Sequence, residues 1–236
     1  KSPLVQSHIP EILKTQWRFL LFKPVTPNLR DHFSDYFAYV VLISLAVGVG
    51  RYWDHLDAEP WQYFGIGSLA YIFTLSLVLY LLVLPLKPRH WSFKSVLIFV
   101  GLTSLPALLY ALPVERFLSI GTAQSINAMF LATVAIWRVA LYVNYLKSVA
   151  DLGSLDIAVA VLLPISLIVV ALSILNLEHA VFQIMAGNPM PPTSGDLSYF
   201  VVLLLSFFAF ITLPVTVVLY LVAIYQKWKT SPVQRS

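Results

Sequence analysis

The chain has 236 residues, of which 59% are hydrophobic and only 11% are charged. An ordinary soluble domain has about 45–50% apolar and about 25% charged residues, so this chain could not cover itself with polar surface in water and needs lipid as its solvent. It contains no cysteine, which excludes disulfides, thiolate metal sites, iron–sulfur clusters and c-type haem.

Residues 1–35 precede the first apolar run and predict a cytoplasmic or interfacial amphipathic segment. Apolar side chains recur there at spacings of three and four residues: Ile9, Ile12, Leu13, Trp17, Leu20 and Leu21. Pro10 suits the first turn of a helix, and Glu11, Lys14 and Arg18 lie between the apolar positions. The pattern predicts an amphipathic helix that either lies on the inner membrane surface or packs against the underside of the bundle.

Six apolar runs follow within residues 36–226, and a helix that crosses the hydrocarbon core needs about 20 such residues. The runs are 36–50, 61–86, 95–114, 117–146, 157–177 and 197–226. The first run reaches span length only with Arg51, Tyr52 and Trp53 included. Strands of a membrane barrel would instead alternate in polarity over about 10 residues. The runs therefore predict an all-α, polytopic bundle of six transmembrane helices.

Lysine and arginine concentrate in alternate connections of this bundle. Twelve lie on one predicted side: Lys1, Lys14, Arg18, Lys23, Arg30, Lys87, Arg89, Lys94, Lys147, Lys227, Lys229 and Arg235. Only Arg51 and Arg116 lie on the other side. Because cytoplasmic loops carry this excess, both termini are predicted in the cytoplasm, with residues 227–236 as a basic tail. The basic side suits an anionic inner leaflet, and no separate basic patch indicates a nucleic-acid partner.

Arg138 is the single charged residue inside the six runs. An intramembrane charge costs at least about 2.5–3.5 kcal/mol on insertion scales, and it needs a partner. Gln124, Asn127 and Tyr145 lie on roughly the same helical stripe. One interpretation of this intramembrane polar stripe is a substrate or ion path. The other is a buried anchor, or an arginine that snorkels to the inner headgroups.

A short connection joins the fourth and fifth runs, so these two helices should be antiparallel neighbours. Counting outward from it brings Arg138 opposite Pro164. Proline has no N–H, which frees the carbonyl of Ala160 one turn earlier. The hypothesis is that Arg138 reaches this carbonyl, or Asp156 further along, and ties the two helices together.

Small residues at helix-contact spacing predict close packing. They are Ser44 and Gly48, Gly65 and Ser68, and Ala128, Ala132 and Ala135. Residues of metal-binding type on the predicted outer side are Asp54, His55, Asp57, Glu59, Glu178 and His179. They lack a spacing such as H-E-x-x-H, so we interpret them as ordinary surface residues. With neither a G-x-S-x-G element nor a P-loop, the sequence predicts no catalytic residue, no metal and no cofactor.

Several stretches resemble the Yip family, the Ypt-interacting multispanning membrane proteins and their bacterial relatives. They are Trp17-Arg18-Phe19-Leu20-Leu21-Phe22-Lys23-Pro24, Ser92-Phe93-Lys94-Ser95-Val96, Ser104-Leu105-Pro106, Ile136-Trp137-Arg138-Val139, and residues 149–156 and 158–164. The family usually has one span fewer than the six predicted here. The resemblance implies a helical membrane bundle, here in a bacterial inner membrane, that works through protein or lipid partners.

These features predict a non-enzymatic membrane scaffold or subunit. Its partners would be membrane lipids and either other membrane proteins or further copies of the chain. The alternative is a transporter or channel for a small molecule or ion, built around the polar stripe of the fourth helix.

Overall fold

The computed structural model describes residues 8–23, 25, 27–53, 60–175 and 197–229. The helices, numbered here in chain order, are α1 Ile9–Leu20, α2 Phe33–Tyr52, α3 Pro60–Tyr63, α4 Ile66–Val83, α5 Phe93–Leu102, α6 Ile120–Ser148, α7 Ser154–Ile174 and α8 Leu197–Lys229. Short 3-10 segments lie at Leu84–Leu86, Leu105–Ala111 and Val114–Arg116. No strand occurs in the described residues, so the all-α prediction is confirmed for that part of the chain.

Within the residues that the structure describes, six helical stretches are long and apolar enough to cross a membrane, as the sequence predicts. They are Phe33–Gly50, Ile66–Leu86, Phe93–Ala111, Gly121–Ser148, Ser154–Ile174 and Leu203–Lys229. The predicted second run is divided, because Gly65 takes a φ of +69° that a helix cannot contain. The final helix continues to Lys229, so the start of the predicted basic tail is helical.

The chain divides into two compact units. The first contains residues 1–80 and 90–112, and the second contains residues 81–89 and 113–236. In the first unit, α5 and the 3-10 segment after it form the most buried span, with 61% of its residues inside the protein. Gly101 of α5 lies directly against Val40 of α2, and a Cβ at this position would be 2.8 Å from Cβ of Val40. The absent side chain thus lets two helices pack closely.

Helix α1 is present and packs within the first unit through one face. Gln16 is buried, and its Nε2 donates to the carbonyl of Leu102 at 2.9 Å. That carbonyl is free because Pro106, four residues later, has no N–H to offer it. The opposite face carries exposed apolar side chains, including Leu13 and Trp17. One face of α1 therefore packs against its own unit, and the place of the other face on a membrane surface stays a prediction.

The predicted close packing of small residues is confirmed at two of the three sets. A Cβ on Gly48 would be 2.6 Å from Cα of Gly65 and 2.7 Å from Oγ of Ser68. Ser44 donates to Ser104 across a buried 3.4 Å contact. For the set on α6 the prediction is wrong at Ala132 and Ala135, which are exposed.

In the second unit, α7 and α8 pack along their length and are joined by hydroxyl pairs. Ser166 Oγ lies 2.8 Å from Thr212 Oγ1, and the Oγ atoms of Ser173 and Ser206 are also 2.8 Å apart. Polar pairs of this kind hold membrane helices together, since lipid offers no competing hydrogen-bond partner.

Cysteine labelling at the ends of the spans in the second unit tests the predicted topology. Arg89 follows α4, Asp151 follows α6, and their side chains meet at 2.9 Å, so these two connections lie at one end of the unit. Cysteine introduced at Arg89 or Ser154 should be protected from an impermeant thiol reagent in intact cells, while cysteine at Arg116 should react. The chain has no cysteine of its own, which keeps the background low. Labelling of Arg89→Cys and Arg116→Cys from the same side would contradict the six-span topology.

Candidate functional site

A cluster of charged side chains lies at this same end of the second unit. Its members, called the Asp156 cluster below, are Lys87, Arg89, Asp151, Asp156, Lys227 and Trp228. They come from the segment after α4, the connection between α6 and α7, the first turn of α7 and the last turn of α8. Four separate parts of the chain thus meet through charged and aromatic groups.

The central contact of the cluster is an ion pair between Asp156 and Lys227. Lys227 Nζ is 2.8 Å from Asp156 Oδ2, and the two side chains are only 35% and 11% exposed. Asp156 also lies in the first turn of α7, where the helix dipole favours a negative charge. A close pair whose carboxylate is largely shielded from water is stronger than a fully exposed one.

Lys87 adds two contacts to the end of α8. Its Nζ donates to the carbonyl of Lys227 at 3.4 Å and lies 4.4 Å from the ring centroid of Trp228. Lys87 has a φ of 53°, a left-handed conformation that is uncommon for a residue other than glycine. Such a conformation persists when its surroundings hold it in place, and the contacts to Lys227 and Trp228 are suited to do so.

Tyr220 supplies a further link between α8 and α4. Its hydroxyl donates to the carbonyl of Leu82 at 2.7 Å. Helix α4 ends at Val83, so the Leu82 carbonyl is among the last four, which have no partner within the helix. The Asp156 cluster and Tyr220 together therefore fix the end of α8 to α7 and to residues 82–87 of the same unit.

The arrangement is suited to holding helices together and to presenting charge at a membrane surface. Its lysine and arginine side chains already contact carboxylates, carbonyls or an aromatic ring. The side chain of Arg89 pairs with Asp151 but is still 76% exposed. It can therefore also contact a lipid headgroup.

The predicted polar stripe lies on α6. Asn127 and Arg138 are half-buried, Tyr145 is buried, and the Gln124 side chain lies outside the described part. The proposed helix partners Asp156, Ala160 and Pro164 are all buried on α7. The carboxylate of Asp156 pairs with Lys227, while a link from Arg138 to Ala160 or Asp156 stays a prediction.

Sequence reasoning missed the role of Lys227. The available signal was its position as the first charge after the last span, with Asp156 as the last charge before the fifth span. Both belong to the same predicted side, where pairing is possible. The outer-side residues considered for metal binding, residues 54, 55, 57, 59, 178 and 179, lie outside the described residues.

Comparisons of the chain with protein-family models, with curated proteins and with solved structures found no match. The resemblance to the Yip family therefore still rests on the residues quoted above.

Proposed function

We propose that the protein is a non-enzymatic integral membrane scaffold or subunit that binds another membrane protein, or a second copy of itself, through α6. The Yip-like stretches support this proposal, since that family is expected to act through protein or lipid partners. They also favour a bacterial inner membrane, with the basic connections against anionic lipid.

The observation that carries the proposal is how little of α6 is covered. Only 17% of the residues in its span are buried inside the protein, the same share as in the span of α8 and far less than the 61% of the span of α5. Ile136 is 70% exposed in the middle of the helix. A long face of α6 is thus available to lipid or to another helix.

The composition of that face favours another helix. Its exposed residues include the small Gly121, Ser125, Ala132 and Ala135, which lie near one side of the helix at 3.6 residues per turn, among the larger Met129, Ile136, Val139 and Val143. In lipid, helices associate through close van der Waals packing and polar contacts, and small residues allow their backbones to approach. A face that only met lipid would gain nothing from small side chains.

The polar stripe borders this face. Asn127 and Arg138 are half-buried on α6, at the edge between the covered and exposed sides. Polar groups in that position can hydrogen-bond across a helix interface, which adds specificity to the packing of small residues.

A photo-crosslinking amino acid at Ala132 should capture a protein in native membranes, either a partner or a second copy of the chain. The same probe at Leu162, an exposed residue of α7, is the matched control and should give mainly lipid adducts. Ala132→Leu combined with Ala135→Leu should abolish co-purification of the captured protein. Thermal stability should be unchanged, because both side chains are exposed.

Lipid adducts alone from both positions would contradict the proposal. The transport alternative predicts a different result. In that case Arg138→Leu would abolish flux in proteoliposomes made from the purified chain, and the double leucine variant would leave it intact.

A further inference from the structure

Two histidines from distant parts of the sequence lie together in the first unit. His8 immediately precedes α1 and His32 immediately precedes α2, and their ring centroids are 4.2 Å apart. Each histidine is followed three residues later by a carboxylate, Glu11 after His8 and Asp35 after His32. The fold thus places two similar pairs side by side.

The distances within the pairs are longer than hydrogen bonds. His8 Nδ1 is 3.9 Å from Oε2 of Glu11, and His32 Nδ1 is 3.8 Å from Oδ2 of Asp35. Hydrogen bonds between such groups span about 2.7–3.2 Å. Two ligands of one tetrahedral Zn²⁺ lie about 3.3–3.5 Å apart, given bonds of about 2.0–2.2 Å. The observed separations exceed that spacing by about 0.3–0.6 Å, so neither histidine is held by a direct hydrogen bond to its carboxylate that would compete with a metal ion.

His8, His32 and Asp35 each offer one ligand atom, and the three atoms lie within 4.8 Å of one another. Rotation of these partly exposed side chains can bring the three atoms, now up to 4.8 Å apart, to bonding distance, with water as the fourth ligand. Neutral imidazole with carboxylate oxygen is a ligand set that Zn²⁺ accepts. The two carboxylates also outweigh the partial charge of about +0.5 at each of the two helix N-termini.

We propose that His8, His32 and Asp35 form a site for a divalent transition metal ion such as Zn²⁺, with water as the fourth ligand. A bound ion would connect the start of α1 to the start of α2. Like the hydrogen bond between Thr15 and Tyr36, whose oxygens are 3.1 Å apart, the ion would hold α1 against α2. The metal would thereby fix the N-terminal helix to the first span.

Calorimetric titration of Zn²⁺ into the purified full chain, carrying an affinity tag without histidine, tests this site. One Zn²⁺ should bind per chain, and His8→Ala, His32→Ala and Asp35→Asn should each lower its affinity by more than about 100-fold. Loss of even an outer-shell partner of a metal site typically costs about 10–100-fold. His90→Ala is the matched control, since His90 is exposed and outside the group, and it should leave the affinity unchanged.

A second measurement reports the structural effect of the ion. Zn²⁺ should slow tryptic cleavage after Lys14 and Arg18 in α1 of the unmodified chain, and it should have no such effect in His8→Ala. Zn²⁺ affinity that is unchanged in the histidine variants, or lowered equally by His90→Ala, would overturn the proposal. The absence of binding at micromolar Zn²⁺ would overturn it as well.

Discussion

Gly48→Ala is expected to lower the free energy of unfolding by about 1–3 kcal/mol, the usual cost of overpacking a tight contact. The added methyl group would be 2.6 Å from Cα of Gly65, and this neighbour is backbone that cannot rotate away. Gly65 cannot adjust easily either, because its φ of +69° already depends on glycine. In a chain of this length, such a loss corresponds to a midpoint about 2–12 °C lower in thermal unfolding.

Gly121→Ala provides the matched control for this experiment. A Cβ at Gly121 would meet nothing within 4 Å, and alanine is the better helix former by about 1 kcal/mol. The midpoint of this variant should therefore stay the same or rise. Equal destabilisation by the two substitutions would show that the contact between Gly48 and Gly65 is not what matters.

Lys227→Met is expected to destabilise the protein by about 1.5–3 kcal/mol, in the range for hydrogen bonds to charged groups. It leaves Asp156, 11% exposed on its side chain, without its cationic partner. Asp156→Asn should cost less, because the Lys227 side chain is 35% exposed and can turn towards water. The double variant should cost less than the sum of the two, by an interaction energy of about 0.5–3 kcal/mol.

The pair of Arg89 and Asp151 is the control for this double-mutant cycle. Its atoms are as close, at 2.9 Å, but the two side chains are 76% and 61% exposed. Exposed pairs contribute about 0–1 kcal/mol, so Arg89→Gln with Asp151→Asn should show little coupling. Thermal unfolding in detergent measures both cycles. A larger coupling energy for the exposed pair would contradict the claim that the ion pair of Asp156 and Lys227 contributes more to stability.

The sequence predicts those features that depend on neighbouring residues. Span number follows from the length of apolar runs, and Pro106 lacks the amide that would continue α5 past Leu102. The small residues at Gly48 and Gly65 also indicated packing correctly. Each of these signals lies within one or two turns of a helix, so no knowledge of the tertiary fold is needed.

The pairings between distant residues could not be predicted in the same way. His8 and His32 meet only because α1 turns back against α2, and Lys227 reaches Asp156 only because α7 and α8 pack along their length. For Ala132 and Ala135 of α6 the opposite happened: a packing contact was predicted, but both side chains are exposed. Their spacing indicates helix packing, but spacing alone does not tell whether a residue faces another helix of the fold or the protein surface.

The hydrogen bond from Gln16 to Leu102 has a consequence for biosynthesis. Its two residues are separated by 86 positions, which a ribosome making about 5–20 residues per second needs about 4–17 s to synthesise. During that interval Leu102, whose carbonyl accepts the hydrogen bond from Gln16, has not yet been synthesised. The N-terminal helix can already contact α2 through Thr15 and Tyr36, but its hydrogen bond to Leu102 forms only after the third span has been translated.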